Sequence, residues 1–150
     1  MAKIDTSGID ELCKALENLS GAGADAIADE FLIKAGKIGV EQWRAAIQRA
    51  GHVQTGGMLR KVGATKPKRS KDGSLALEVY PKGKHPTAKE SRSYGSAPMT
   101  YAGVAFALNY GNSNLQGSRF VQAAEAAMEK PIQEACEEIM DKYLKKEGLT

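Results

Sequence analysis

The residues of this sequence best placed to do chemistry are the lysines and arginines of its central third. Between Arg60 and Arg92 the chain has ten basic and three acidic residues, a local charge of +7, whereas the whole chain carries only +3. The remainder is therefore acidic. Cations spaced along a loop can neutralise phosphates without reading bases. The residues that form this candidate basic loop are Lys66, Lys68, Arg69, Lys71, Lys82 and Lys84.

Three interpretations of the basic loop are open. It can make non-specific contacts to DNA, although Tyr80 and Tyr94 are the only nearby aromatic residues that could stack on bases. It can contact an acidic protein surface, such as that of a second copy. The third interpretation is structural, because lysines on a sheet edge discourage aggregation.

Catalytic signatures are nearly absent. His52 and His85 lie in segments rich in glycine and proline, without an acidic partner at relay or ligand spacing, and the common hydrolase, zinc and phosphate-loop motifs do not occur. The sequence therefore predicts no enzyme, no catalytic or metal-binding residue and no cofactor. Cys13 and Cys136 fall on apolar helix stripes, which favours buried, reduced thiols over a redox pair.

The 150 residues suit a single domain, 1–150, of the α+β class. Apolar residues at helical spacing predict helices over about 7–19 and 25–50, and a C-terminal helix over about 118–146 that is kinked near Pro131. No stretch reaches the roughly 18 apolar residues of a membrane span, so we expect no membrane contact. The start lacks a signal-peptide core, which predicts a cytoplasmic product.

The middle, about 58–110, is predicted to be rich in β-strands and to carry mobile basic loops. Ser74 to Tyr80 alternates cleanly between apolar and polar residues, and Asp72-Gly73 before it signals a turn. The segment Tyr101–Tyr110 fits both a strand and a helix, and we favour a strand. The expected architecture is a small antiparallel sheet packed against two or three helices, with long helices at both ends of the chain.

Several short motifs follow one another along the chain in a defined order. A long helix leads into a Thr-Gly-x-Leu-Arg-like motif with one extra residue, and a Tyr-Ala segment, Tyr101-Ala102, leads to an aromatic-glycine turn and an Arg-Phe step before the last helix. This order resembles the small tail-component, or head–tail joining (neck), family of long-tailed bacteriophages. The residues that match the motifs of this family are Thr55, Gly56, Leu59, Arg60, Tyr110, Gly111, Arg119 and Phe120.

The resemblance implies a non-enzymatic phage or prophage structural protein that acts at the head–tail junction or in tail completion. It implies a ring of copies, for example a hexamer, whose partners are the connector and tail proteins. Such a protein would be found in the host bacterial cytoplasm during assembly and in the neck or tail of the virion. The alternative is a small DNA-binding protein that uses the basic middle segment.

The polar run between the last two predicted elements joins sheet to helix. We expect Ser118 to cap the last helix and Phe120 to anchor its first turn on the sheet. The exposed part of this run is either a plain surface loop or a contact with a neighbouring subunit. The residues of this candidate contact loop are Asn112, Ser113, Asn114, Leu115 and Gln116. Many members of the family that the motifs resemble carry an acid just before or near the aromatic-glycine turn, where this chain has Asn109, so this chain lacks the acid for a subunit contact at that place.

Overall fold

The computed structural model describes residues 22–85 and 99–149, together with Glu17 and Ser20. These residues form four helices and three two-stranded antiparallel sheets, which confirms the α+β class. The helices are α1 (Ala22–Arg49), α2 (Gly57–Lys61), α3 (Tyr101–Tyr110) and α4 (Phe120–Lys146). The strands are β1 (Val62–Ala64), β2 (Lys68–Arg69), β3 (Leu75–Ala76), β4 (Val79–Pro81), β5 (Gly111–Asn112) and β6 (Leu115–Gln116). The helix predicted over about 7–19 lies almost wholly outside the described residues, as does Cys13.

The two long helices, α1 and α4, pack along each other and form the body of the molecule. Polar contacts border this interface: Lys34 pairs with Glu138, and Glu30 accepts hydrogen bonds from Lys142 and Tyr143. Two of the three glycines within α1, Gly36 and Gly39, are explained by the residues of the β-region that pack against them. A Cβ atom on Gly36 would lie 3.0 Å from a methyl of Leu77, and one on Gly39 would lie 2.9 Å from a methyl of Val79. Glycine therefore lowers the helix propensity of α1 but lets the sheet approach it closely.

The core lies where α1, α2, α3 and the start of α4 meet. Trp43 and Phe120 pack edge to face there, with ring centroids 5.8 Å apart. The buried apolar residues around them are Ala46, Ile47, Met58, Val62, Tyr101, Ala105 and Ala124. Phe120 is thus buried, as its position predicted, in the same core as Val62 of β1, and its aromatic neighbours are Trp43 and His52.

The predicted strand over Ser74–Tyr80 is divided in two. β3 pairs with β2 and β4 pairs with β1, with Gly63 opposite Tyr80. Between the pairs, Thr65 donates its N–H to Glu78 O (2.8 Å), and its hydroxyl accepts the Glu78 N–H (3.0 Å). Thr65 Oγ1 thus replaces a backbone carbonyl as the acceptor between the β1–β4 pair and the β2–β3 pair.

The predicted turn at Asp72-Gly73 is present at the tip of the β2–β3 hairpin. Asp72 accepts hydrogen bonds from both the hydroxyl (2.7 Å) and the N–H (3.0 Å) of Ser74, and these bonds lower the pKa of the Asp72 carboxyl. Gly73 has φ +86°, which its lack of a side chain permits.

The strand prediction for Tyr101–Tyr110 is wrong, because this segment is helix α3. Thr100 caps it, with its hydroxyl oxygen accepting the Gly103 N–H at 3.1 Å. The buried positions are Tyr101, Ala105 and Asn109, which recur every fourth residue as on a helix face. The helical alternative was therefore the correct one, and the β-rich middle ends before residue 101.

The C-terminal helix begins at Phe120 rather than at about 118, and Ser118 does not cap it. The cap position is occupied by Arg119 in the left-handed conformation (φ 55°), whose side chain makes no capping bond. The helix continues without a break through Pro131 to Lys146, and the kink predicted there stays a prediction. Cys136 on this helix is exposed, contrary to the expectation of a buried thiol.

Of the loop between β4 and α3, the structure describes only residues 82–85 and 99–100. Its described ends are tied together by a backbone bridge between Lys84 and Thr100. The prediction of a mobile loop there falls mostly on residues 86–98, which lie outside the described ranges. Within the described ranges, no helix combines the length and the apolar character that crossing a bilayer demands.

Candidate subunit-contact site

Three of the large apolar side chains that are exposed in this protein lie together around the end of α3. Phe106 is 65% exposed, Tyr110 is 49% exposed and Leu115 is 42% exposed. Phe106 and Tyr110 are four residues apart on one helix face, and their ring centroids are 4.7 Å apart. We call Phe106, Tyr110 and the adjacent hairpin tip 112–116 the hairpin patch.

The hairpin of the patch, β5–β6, contains the candidate contact loop. Gly111 pairs with Gln116 and Asn112 pairs with Leu115, so residues 113 and 114 form a two-residue turn. Asn112 Oδ1 accepts the Asn114 N–H at 2.9 Å, which fixes this turn from within. The polar run after Tyr110 is therefore a short ordered hairpin, and its tip residues are exposed.

Gly111 and Gly117 let the hairpin lie directly against the end of α3. At Gly111 (φ +80°) a Cβ atom would clash with Leu115 O and lie 2.5 Å from Gly117 N. At Gly117 it would lie 2.6 Å from Asn109 O. Any larger residue at either position would push the hairpin away from the helix, so the patch depends on both glycines.

Asn109 connects this hairpin to both flanking helices. Its backbone oxygen accepts the Arg119 N–H (3.0 Å), and its side-chain Oδ1 accepts the Val121 N–H (2.9 Å) in the first turn of α4. An amide oxygen from α3 therefore performs the capping that we expected of Ser118. The Arg119 guanidinium lies 5.4 Å from the Tyr110 ring centroid, as a cation–π contact on the surface.

Asn109 has 0% of its surface exposed. Asn109, which stands just before the aromatic-glycine turn, is therefore inside this protein, where its amide oxygen holds the N-terminus of α4. Sequence reasoning missed Asn109 and Phe106 as functional candidates. The signal that could have identified Asn109 is a polar residue on the same fourth-residue stripe as Tyr101 and Ala105.

The Thr-Gly-x-Leu-Arg-like motif forms the connection between α1 and β1. Gly56 (φ 64°) is the cap residue of α2, and Thr55 Oγ1 accepts the Gly57 N–H at 3.3 Å. Leu59 packs partly buried against the core, whereas Arg60 is exposed. Gly57, one of the two residues between Gly56 and Leu59, faces Tyr101: a Cβ atom there would lie 2.6 Å from the Tyr101 hydroxyl. The structure thus brings this motif into contact with the Tyr-Ala motif.

Both histidines line a cleft of about 450 Å³ beside this connection. His52 Nε2 lies 2.7 Å from Ser118 Oγ, and the Ser118 hydroxyl also lies 3.1 Å from Leu108 O. The hydroxyl has one hydrogen, so when it donates to Leu108 O it must accept a hydrogen from His52 Nε2. His85 packs its ring against Tyr101, with centroids 5.2 Å apart. Contacts to Ser118 and Phe120 make His52 a link between the end of α1 and the start of α4.

The six residues of the basic loop differ in whether their charged groups are paired or exposed. Arg69 pairs with Asp25 on α1 (2.5 Å) and donates to Gly73 O, and Lys82 donates from Nζ to Ala64 O (2.5 Å). Lys84 is exposed beside the backbone bridge to Thr100. The exposed lysines Lys66, Lys68 and Lys71 lie on or beside the β2–β3 hairpin, and we call them the hairpin lysines.

Comparison of this chain with known protein families, with characterised proteins and with solved structures finds no match.

Proposed function

We propose that this protein is a non-enzymatic assembly subunit of a long-tailed bacteriophage or prophage. It acts at the head–tail junction or in tail completion, as one copy in a ring, and it contacts its neighbours through the hairpin patch. The observation that carries this proposal is the exposure of Phe106, Tyr110 and Leu115 around an ordered polar hairpin. The order of the family-like motifs supports the same assignment.

The composition and rigidity of the hairpin patch suit a protein contact. Aromatic residues are enriched in interfaces, where they bury much area and lose few rotamers. The turn is fixed by its own Asn112 bond, and Gly111 and Gly117 hold the hairpin against α3. A partner therefore meets a surface that is already ordered, which lowers the entropic cost of association. A ring is built from heterologous contacts, in which a patch on one subunit meets a different surface on the next. One hairpin patch per subunit can therefore supply one side of every junction in the ring.

The test is a stop codon in this gene in the source phage or prophage, followed by induction and electron microscopy of the lysate. Filled heads beside detached tails would support joining, and tails of irregular length would support tail completion. Intact, infectious virions would contradict the proposal. The state of the isolated protein in solution is a poorer test, because the ring can require the growing connector as a template.

A second candidate function, non-specific DNA contact, is favoured by one observation. The hairpin lysines are exposed together at one hairpin, where they could meet phosphates in the duplex that passes through a ring. Arg69 contributes less to such a surface, because its guanidinium is paired with Asp25.

We predict that Lys66→Glu, Lys68→Glu and Lys71→Glu together abolish any DNA binding, because each reversal replaces a phosphate-neutralising cation with an anion. A gel-shift titration at two salt concentrations measures this, and wild-type affinity should fall steeply with salt through counterion release. The matched control reverses Lys130, Lys145 and Lys146 on α4, which are exposed outside the basic loop. Wild-type protein that does not bind, or equal loss in both triple variants, would contradict DNA contact by this hairpin.

A further inference from the structure

A small cleft opens beside the hairpin patch, with a volume of about 220 Å³. It lies between α3, β4, the core and the first turn of α4, and four of its nine lining residues are aromatic; Ala102, Ala105 and Val121 add aliphatic surface. The residues that form these walls include Trp43, Tyr80, Pro81, Phe106, Asn109 and Tyr110. The cleft is smaller than the roughly 300–1,000 Å³ typical of small-molecule sites. It therefore suits one inserted side chain rather than a cofactor.

The amide in this wall has a hydrogen-bond donor without an acceptor. Asn109 Oδ1 is engaged by the Val121 N–H, which fixes the orientation of the amide and leaves Nδ2 as the other atom. Nδ2 is buried and has no hydrogen-bond partner among the described residues. A buried donor without an acceptor is rare in folded proteins and destabilises the structure that contains it. Gln122 Oε1 is also buried and unpaired, but Gln122 does not line the cleft.

The unpaired donor and the apolar walls of the cleft set two requirements for a ligand. The ligand must offer an oxygen that accepts from Asn109 Nδ2 and, next to it, an apolar group that fits between rings. A main-chain carbonyl beside a proline ring satisfies both needs, since aromatic-lined grooves bind proline-containing segments in their extended, left-handed helical form. Such a segment is already ordered when free, so its binding loses little conformational entropy.

We propose that this cleft binds an extended, proline-containing segment of a partner polypeptide. The proline ring packs against the aromatic walls, and an adjacent main-chain carbonyl accepts the hydrogen bond from Asn109 Nδ2. Asn109 Nδ2 is covered in the free protein, so the segment reaches it only after the exposed side chains of Phe106 and Tyr110, which also line the cleft, change rotamer. The biological role of the segment, a contact within the assembled phage particle, rests on the proposed function; the binding itself does not.

The test is an NMR titration of the full-length, nitrogen-15-labelled protein with a blocked tetrapeptide in which alanine and proline alternate. We expect saturable shifts of the Asn109 side-chain amide and the Trp43 indole at millimolar peptide. The all-alanine tetrapeptide of the same length should produce none. Absence of saturable shifts with the proline peptide, or equal shifts with both peptides, would overturn the proposal.

Asn109→Asp is the decisive variant, because aspartate has the same shape and keeps an acceptor for Val121 but lacks the donor. We expect its affinity for the proline peptide to fall at least tenfold, followed by the Trp43 indole signal. Gln122→Met removes the other unpaired polar atom and should bind like the wild type. Unchanged binding by Asn109→Asp would overturn the proposal.

Phe106→Ala with Tyr110→Ala provides an independent check that does not rely on a buried position. Both residues are exposed, so the double variant should fold and lose the peptide. Retained binding would overturn the proposal. A failed titration would contradict peptide binding but would not change the result of the stop-codon experiment. Intact virions from the stop-codon phage would contradict the assembly role but would not change a measured peptide affinity. The two proposals can therefore fail separately.

Discussion

At the scale of single residues, the most informative position is Asn109. It is fully buried, yet its two polar groups behave differently: the oxygen caps α4 and the nitrogen has no partner among the described residues. Sequence alone could place Phe120 in the core, because an aromatic residue at the start of an amphipathic helix is driven inward. It could not place Asn109 or Cys136, because the burial of a single position depends on which neighbours cover it.

We predict that Asn109→Ala lowers the free energy of unfolding by about 1–3 kcal/mol, because the Val121 N–H loses its acceptor in a buried place. Urea unfolding followed by circular dichroism measures the change. Gln122→Met removes the other unpaired polar atom but no capping bond, and it should lose less. An unchanged free energy of unfolding in Asn109→Ala would contradict the capping role.

Gly57→Ala is predicted to destabilise the fold by about 1–3 kcal/mol, because a new methyl would overpack the buried Tyr101. The expected Cβ position lies 2.6 Å from the Tyr101 hydroxyl and 3.1 Å from its ring. Gly103→Ala is the control: it lies on the exposed face of α3 and should gain about 0.5–1 kcal/mol from helix propensity. Equal melting temperatures for Gly57→Ala and the wild type would show that the two motifs do not meet as described.

At the scale of elements, hydrophobic periodicity predicted the long helices well and the short elements poorly. α1 and α4 each span many turns, so apolar positions that repeat every three or four residues average out local exceptions such as Gly36 and Pro131. Tyr101–Tyr110 is mostly apolar on all sides. Its apolar residues therefore fit the two-residue repeat of a strand and the three-to-four-residue repeat of a helix equally well. The helical structure of this segment is determined by the Thr100 cap and by packing against α2 and β4. The packing contacts involve other parts of the chain and cannot be read from the segment itself.

The α1–α4 contact predicts a specific dependence of stability on pH. Hydrogen bonds from Lys142 and then Tyr143 hold the pKa of Glu30 below its ordinary value of 4.5. A carboxyl with a lowered pKa in the folded state stabilises that state above its unfolded pKa, and this contribution is lost as the pH falls through the folded value. Glu30→Gln should therefore be less stable than the wild type at neutral pH, and the difference should disappear well below pH 4.5.

Chemical denaturation across this pH range measures the effect, with Glu134→Gln as the control. Glu134 pairs with Lys130 at 3.7 Å on the outside of α4, and both side chains are largely exposed. An exposed pair of this kind contributes little to stability, so its variant should follow the wild-type curve. A constant difference between Glu30→Gln and the wild type at every pH would contradict the ionic contribution of Glu30.

At the scale of the whole molecule, the hairpin lysines and the hairpin patch lie on different elements. The hairpin lysines lie at the β2–β3 hairpin, whereas the hairpin patch lies at the end of α3. The sequence predicted the charge distribution and the candidate loop 112–116, since both are local in the chain. It did not predict the patch, because the hairpin tip 112–116 lies beside the end of α3 only where Gly111 and Gly117 allow the two to approach closely.

The measurement that tests this account most directly is complementation of the stop-codon phage by plasmid-borne variants, with virions counted by electron microscopy and infectivity. We predict that the wild-type gene restores virions and that Phe106→Ser with Tyr110→Ser fails to do so, although the purified variant unfolds at the wild-type temperature. Ile33→Ser, which alters an exposed apolar residue on α1 away from the patch, should restore virions. Full rescue by the Phe106 and Tyr110 double variant would contradict the hairpin patch as the contact through which this protein assembles.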